Sequence, residues 1–233
     1  ELTGARENNL KNVSVKFPLN VMTVVTGVSG SGKSTLIRRI LAPALMKQHG
    51  GGAGEATGKF DRLTGVQGQV THVEFVDQNP IGKSSRSNPV TYVKAYDEIR
   101  QLFAASPKAQ ALGIQAGDFS FNSAGGRCET CEGLGTVTVD MQFMADVTMV
   151  CPDCNGKRFL PGVLSVRLFG RNIYDVLAMT VDEALQFFKT APKVRKRLAL
   201  LAEVGLGYLQ LGQSTATLSG GEAQRLKLAS YLK

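Results

Sequence analysis

The run Gly27-Val28-Ser29-Gly30-Ser31-Gly32-Lys33-Ser34-Thr35 constrains this chain more than any other stretch. It satisfies G-x-x-x-x-G-K-[S/T] at every fixed position, the pattern of a phosphate-cradling loop. The glycines let the backbone curl and bring its N–H groups up to phosphate oxygens. Lys33 supplies a point charge for the β- and γ-phosphates of a nucleotide, and Ser34 a hydroxyl for Mg²⁺. The flanks suit the motif. Residues 21–26 (VMTVVT) read as a buried strand, and residues from Ser34 onward as a helix whose N-terminal dipole favours an anion. A strand–turn–helix with an incidental glycine loop is the plain alternative.

Charge and cysteine usage bound the rest. The net charge of +8 favours an anionic partner such as nucleic acid, against a generically basic surface. No apolar run approaches the ~18 residues of a membrane span, and no secretory pattern opens the chain. The start at Glu1 rather than Met suggests a piece of a longer protein. All four cysteines fall in two CxxC pairs, Cys128/Cys131 and Cys151/Cys154, with 19 residues between the pairs. That spacing matches a four-thiolate zinc site, which would be structural because no coordination position stays open. Two disulfides are the alternative. Between the pairs, residues 136–143 alternate, residues 144–146 can turn, and residues 147–150 can return, so the ion would clamp the base of a β-hairpin.

Along the chain, Leu10, Val13, Val15 and Phe17 suggest a strand, and Pro43 is expected to kink or break the first helix. Residues 70–77 read as a strand with Gln78 at its C-terminal end. Ligands of open α/β sheets gather at such ends, so Gln78 is a candidate for Mg²⁺ or the attacking water, against a polar loop residue. Lys83 and Arg86 lie in a Ser-rich loop that could touch a nucleic-acid backbone or simply be solvated. Asn88 and Pro89 cap and open a helix to about Ala104, and Ser106-Pro107 a short one to about Leu112. Residues 164–168 read as a strand. Thr180 and Glu183 form a capping box, and a helix from Ala191 to Val204 ends at Gly205. Finally, Ser219-Gly220-Gly221-Glu222 opens an amphipathic helix, a second place where exposed backbone N–H groups could meet an anion.

Together with the phosphate loop and Gln78, the residues 218–225 (LSGGEAQR) resemble the signature of an ABC-type ATPase. In that family the signature of one domain closes over ATP held by the phosphate loop of another. Gln78 and Ser219 are 141 positions apart, and a zinc site lies between them, which fits a simple transporter ATPase poorly. The combination resembles the UvrA family, the damage-recognition subunits of bacterial nucleotide excision repair. The matching stretches are residues 8–12, 25–35, 76–82, 86–89, 125–128 and 217–227.

The resemblance implies an α/β fold: a P-loop ABC-ATPase core with an inserted helical signature region and a four-cysteine zinc-bound β-hairpin. It divides the chain into an ATP-binding core at 1–80, an insert at 81–215 carrying the zinc module at 128–154, and the signature helix at 216–233. ATP and Mg²⁺ would engage Gly27, Ser29, Gly30, Ser31, Gly32, Lys33, Ser34, Thr35, Gln78, Ser219, Gly220, Gly221 and Glu222, with Lys33 and Gln78 catalytic. Zn²⁺ would sit on Cys128, Cys131, Cys151 and Cys154. Lys83 and Arg86 become DNA-contact candidates, and Arg6 or Asn8 candidates to face adenine. The implied partners are damaged double-stranded DNA, a UvrB-like helicase subunit and a second copy in the full-length protein, with no membrane and a cytoplasmic location. The chain stops at Lys233, before the family's Mg²⁺-binding acidic strand end and switch histidine. ATP hydrolysis is therefore expected of the full-length protein and little of it from this chain alone. A transport or antibiotic-resistance ATPase is the rival reading, and a zinc-ribbon nucleic-acid module with an incidental glycine loop is a third.

Overall fold

The computed structural model describes residues 1–50, 56–77, 79, 81, 86–139, 141 and 146–232. The chain divides into two compact units, Glu1–Phe75 and Val76–Lys233.

In the first unit, β1 (Leu2–Ala5) lies between β2 (Val13–Val15) and β3 (Arg62–Leu63), both antiparallel to it. The register pairs Leu2 with Val15 and with Leu63. Leu2 and Ala5 bury against Leu36 and Ile40 of the helix that follows the glycine loop. That helix runs as a π-helical stretch, Thr35–Leu41, straight into α1 (Ala42–Gln48). Pro43 does not break it. A proline lacks the N–H that would bond the carbonyl four residues back. That carbonyl, on Arg39, accepts instead from the Gly58 N–H at 2.8 Å, and the wider π turn accommodates the ring.

The segment 21–26 departs from its expected burial. It joins no β-ladder among the described residues, and Val21, Met22 and Val24 are 61%, 91% and 68% exposed. β-Branched apolar residues favour extended backbone, but a buried strand also needs a neighbour to hydrogen-bond, and the sheet of β2, β1 and β3 does not take this segment as a fourth strand. Residues 70–77, also expected as a strand, join no ladder among the described residues either.

The second unit holds the larger core. α2 (Pro89–Tyr92) starts from Asn88, whose side-chain oxygen accepts the Thr91 N–H at 3.0 Å. The chain then turns at Lys94 (φ 60°) into α3 (Ala95–Ala104), so the single helix expected from Pro89 to Ala104 is two. Val93 and Ala95 are both buried, yet one straight helix would set them about 200° apart. The turn lets both face the core. α4 (Pro107–Ala111) is capped by Ser106. The hairpin β4 (Thr136–Val139) and β5 (Val147–Val150) pairs Thr136 with Val150 and Val139 with Val147. Residues 164–168 form no strand. α5 (Pro161–Leu164) opens with proline at its first position, and Val163 and Val166 bury three apart, a helical spacing rather than an alternating one. α6 (Ile173–Ala178) and α7 (Val181–Phe187) each begin with a reciprocal capping box, at Asn172/Asp175 and Thr180/Glu183. α8 (Pro192–Glu203) is followed by Gly205 at φ 73°. α9 (Gly220–Tyr231) seats Ala223, Leu226 and Ala229 in the core. α3, α7 and α9 each pack on α8.

Candidate functional site

The glycine loop is held from one side by the entry to β2. The Asn9 side-chain amide donates to the Gly30 carbonyl at 2.6 Å, and the Asn8 amide to the Thr35 hydroxyl at 3.4 Å. Gly30 and Gly32 both sit at positive φ, 78° and 92°. At Gly32 the positive φ strains any other residue, and a Cβ would lie 2.7 Å from a Leu10 methyl, which would have to move aside. Lys33 curls over the loop. Its ammonium donates to the carbonyls of Gly27 (2.8 Å) and Val28 (2.7 Å) and to the Ser31 hydroxyl (3.3 Å). It thus stands over the concavity a phosphate would occupy, and the exposed Ser34 follows it at the start of the helix. Arg6 donates to Asp61 (2.5 Å) and Asn12 (3.2 Å), so its guanidinium is engaged within the sheet. That pairing pulls the Asp61 carboxyl below the usual carboxylate range. Gln78 and Lys83 lie outside the described residues.

The second anion-binding candidate is the start of α9. Ser219 caps it: its hydroxyl accepts the Glu222 N–H at 3.3 Å, while Glu222 Oε2 accepts the Ser219 N–H at 2.7 Å. The other Glu222 oxygen accepts the Tyr208 hydroxyl at 2.6 Å. Arg225 donates to the Gly205 carbonyl at 3.0 Å and to the Tyr208 hydroxyl at 3.4 Å. The Tyr208 hydrogen bond, then the Ser219 backbone N–H, holds the Glu222 carboxyl below its ordinary range. Glu222 is therefore a fastener of the motif, with both oxygens spoken for. Gly220 and Gly221 are exposed, with open space beside both Cα atoms, and a phosphate could approach the positive end of the helix there.

The four cysteines converge as their spacing predicts. Their Sγ atoms all lie within 4.8 Å of one another, with Cys128–Cys151 at 3.9 Å and Cys131–Cys154 at 3.6 Å. A tetrahedral ion with Zn–S bonds of about 2.3 Å needs S···S separations of about 3.8 Å, and the two closest pairs stand near that value, so the cluster suits Zn²⁺. All four are free thiols, which sets the disulfide alternative aside. The two knuckles are tied to each other. The Cys151 N–H donates to the Gly135 carbonyl at 3.0 Å, and the Gly135 N–H to Cys131 Sγ at 3.2 Å. A Cβ on Gly135 (φ 81°) would come within 2.8 Å of the Gly156 carbonyl. Burial pushes the Cys154 thiol up to about 12, while the Cys154 backbone N–H draws Cys151 down. Thiols crowded like this need a cation if all four are to be thiolates.

The Arg86 guanidinium donates to Glu132 on the first cysteine knuckle at 2.6 Å, and Arg127 approaches the same carboxylate at 3.8 Å. The exposed hairpin strands carry no Lys or Arg anywhere from 136 to 150. Three contacts were invisible in the sequence: Asn9 on the loop, Tyr208 on Glu222, and Lys227 on the segment around Asp77. Each joins residues far apart in the chain, and no local pattern marks them.

A phosphate loop, a capped signature helix and a four-thiol cluster in one α/β chain define a segment of an ABC-type ATPase. No family model matches the chain. Across 232 residues, 100% of its length, it is 50% identical to the UvrABC system protein A of Staphylococcus epidermidis, and it covers 24% of that protein. It is 51% identical over 229 residues to that of Clostridium perfringens, again covering 24% of it. The solved structure of UvrA2 from Deinococcus radiodurans superposes with a TM-score of 0.88 at 51% identity, covering 99% of this chain and 28% of that one. The chain spans about a quarter of the length of these curated relatives, and over that span it is about half identical to UvrABC system protein A and similar in fold to the UvrA2 structure.

Proposed function

We propose that this chain is the ATP-binding, zinc-bearing segment of a nucleotide-excision-repair damage-recognition subunit that works in the cytoplasm. The observation that carries the reading is the joint presence of both triphosphate motifs and the zinc cluster in a chain about half identical to UvrA throughout. In the full-length protein, two copies associate, ATP is bound and hydrolysed, damaged duplex is recognised, and a UvrB-like helicase subunit is loaded. Lys33 and the loop amides hold the triphosphate, Ser34 and Gln78 hold Mg²⁺, and the Ser219–Glu222 helix start closes on a nucleotide held by another domain. Bound Mg²⁺ supplies charge neutralisation at the β- and γ-phosphates. Phosphate contacts fall to Lys83 and to Arg86, which would exchange Glu132 for a DNA phosphate. The hairpin, with no basic residue, would serve through its apolar and hydroxyl side chains. Isolated, the chain is expected to turn over little ATP. The rival is a UvrA2-type paralogue serving antibiotic resistance, since the UvrA2 structure is as similar as the UvrABC proteins.

The test uses the full-length gene product. Binding to a lesion-bearing duplex and to its undamaged twin is compared for wild type and Lys33→Ala, with salt varied. The reading expects lesion preference, a steep salt dependence from phosphate contacts, and ATP turnover lost in Lys33→Ala. Equal affinity for both duplexes would sink the repair assignment and leave the paralogue.

A further inference from the structure

Three consecutive residues, Asn8, Asn9 and Leu10, each touch the glycine loop at a different point. The Asn8 side-chain amide donates to the Thr35 hydroxyl at 3.4 Å, and the Asn9 amide to the Gly30 carbonyl at 2.6 Å. A Leu10 methyl stands where a side chain on Gly32 would begin. In an extended strand successive side chains point to opposite faces, so such a run could not face one loop throughout. The left-handed backbone at Asn8 (φ 52°) breaks that alternation, and the Leu10 N–H closes the turn on the Glu7 carbonyl at 3.1 Å. Asparagine accepts this conformation more readily than most residues.

The Asn9 contact is the one that bears on an anion. A trans peptide is planar, so its carbonyl and the N–H that follows point in opposite directions. With the Gly30 carbonyl drawn outward to Asn9, the Ser31 N–H faces into the loop. There it meets the Val28 carbonyl at 3.3 Å, and the Lys33 ammonium donates to that same carbonyl at 2.7 Å. Gly30, at φ 78° and with open space beside its Cα, has no side chain to resist rotation of this peptide. Its orientation is therefore set from outside the loop.

We propose that Asn9 is a positioning residue for the triphosphate: by holding the Gly30 carbonyl outward, it presents the Ser31 N–H to a phosphate oxygen. The inference rests on the ATP-binding reading above. Asn9 itself touches no phosphate. An anion entering the loop takes the Ser31 N–H from the Val28 carbonyl and draws the Lys33 ammonium with it. Without the Asn9 bond the peptide between Gly30 and Ser31 is free to turn its carbonyl toward the anion, and that oxygen repels it.

The experiment measures equilibrium binding of ATP with Mg²⁺, and steady-state hydrolysis, on the full-length gene product. The proteins are wild type, Lys33→Ala, Asn9→Ala, Asn9→Leu and Asn9→Gln. The part of the binding that Lys33→Ala removes belongs to this loop. One neutral hydrogen bond is worth about threefold to tenfold in an equilibrium constant. We expect Asn9→Ala and the similarly sized Asn9→Leu to weaken the loop's affinity by that factor. KM for ATP rises in parallel and kcat changes less than about twofold, because the Ser31 N–H meets phosphate in the ground state and the transition state alike. Asn9→Gln, which keeps the amide donor, recovers most of the affinity. A merely structural role would lower the active fraction and so cut kcat at unchanged KM. That pattern would overturn the proposal, as would wild-type affinity in both Asn9→Ala and Asn9→Leu, or an Asn9→Gln protein as weak as Asn9→Leu. If Asn9→Ala fails to fold, Asn9→Leu and Asn9→Gln carry the comparison. Should wild type and Lys33→Ala bind and hydrolyse ATP equally, the ATP-binding reading fails instead, and the two failures are told apart.

Discussion

The two compact units hold their candidate anion sites in different ways. In Glu1–Phe75 the phosphate loop is fixed by polar ties and a small apolar cluster: Asn9 on Gly30, Lys33 on its own loop carbonyls, and four buried side chains, Leu2, Ala5, Leu36 and Ile40. In Val76–Lys233 the signature helix stands on a continuous core that runs from Val90 through Phe103, Phe121 and Leu198 to Ala229, beside a four-thiol clamp. The contrast shows that a phosphate loop draws its shape from local backbone chemistry. A helix-start site needs only that the helix be immobile, and so it draws on everything beneath it.

The largest expected effect falls on the clamp. Structural zinc is worth about 10–16 kcal/mol in small zinc-binding peptides, far more than any single packing contact. One zinc per chain is expected by elemental analysis of the full-length protein. Cys151→Ser should lose it and with it the hydrogen-exchange protection of residues 128–160, leaving the phosphate loop's protection unchanged. A metal-free protein with four reactive thiols would contradict this.

Next come matched truncations of the two cores. Phe103 is fully buried, with its ring 5.3 Å from that of Phe119. Phe103→Ala should cost about 3–5 kcal/mol of local stability in the second unit. Ile40→Ala should cost less, about 2–3 kcal/mol, because the small cluster around it can relax into the space. Exchange protection on α3 and on α1 reads the two losses separately. An equal or larger loss at Ile40 would show that the first unit is better packed than its few enclosed side chains suggest.

What could be read from the sequence sorts along the same line. The glycine loop, the CxxC pairs, the Asn88 and Ser106 caps, and the Thr180 and Ser219 boxes are set by residues within a few positions of each other. The caps, the boxes and the cysteine cluster formed as their patterns predict, while the buried strand expected to feed the glycine loop did not. The failures turn on packing, near or far, that the local pattern does not show. Whether residues 21–26 are buried depends on which strand lies beside them, and their own composition cannot say. Pro43 is expected to kink or break the first helix, and the helix runs on through it. Its outcome turned on a glycine fifteen positions later that could take the stranded carbonyl of Arg39. The turn at Lys94 comes from the competing burial of Val93 and Ala95, a conflict that apolar counting alone does not show. Lys227 reads as an ordinary exposed lysine on an amphipathic helix until Asp77 is placed beside it.

A smaller effect is expected at Gly32. The strain of a positive φ costs an L-residue about 1–2 kcal/mol, and the Leu10 methyl must also give way. Gly32→Ala should weaken ATP binding by the full-length protein, seen by titration calorimetry, while zinc content stays at wild type. Gly220→Ala, beside open space, should be far milder. If the two substitutions weaken binding equally, the loop is less tightly built than its contacts with Asn9 and Leu10 imply.

The smallest effect is a pH dependence at the signature cap. The Glu222 carboxyl titrates lower in the folded protein than its unfolded value of about 4.3, because Tyr208 and the Ser219 N–H both stabilise the anion. A depressed folded value means the unfolded chain takes up the proton first. The stabilisation is therefore fully present above the unfolded value and is lost as pH falls through the folded one. At neutral pH the cap is intact, and acid opens it. Glu222 is only half-buried, so water still screens the gain and it stays small. Tyr208→Phe removes the larger cause and should move the Glu222 titration, followed by carboxyl NMR, up toward its ordinary range. The Ser219 cap should persist in that variant at neutral pH, since its own two bonds do not pass through Tyr208. A titration unmoved by Tyr208→Phe would mean that the helix start, rather than the ring beside it, holds the charge. The signature would then depend on the core beneath α9 even more heavily than the contrast between the two units already suggests.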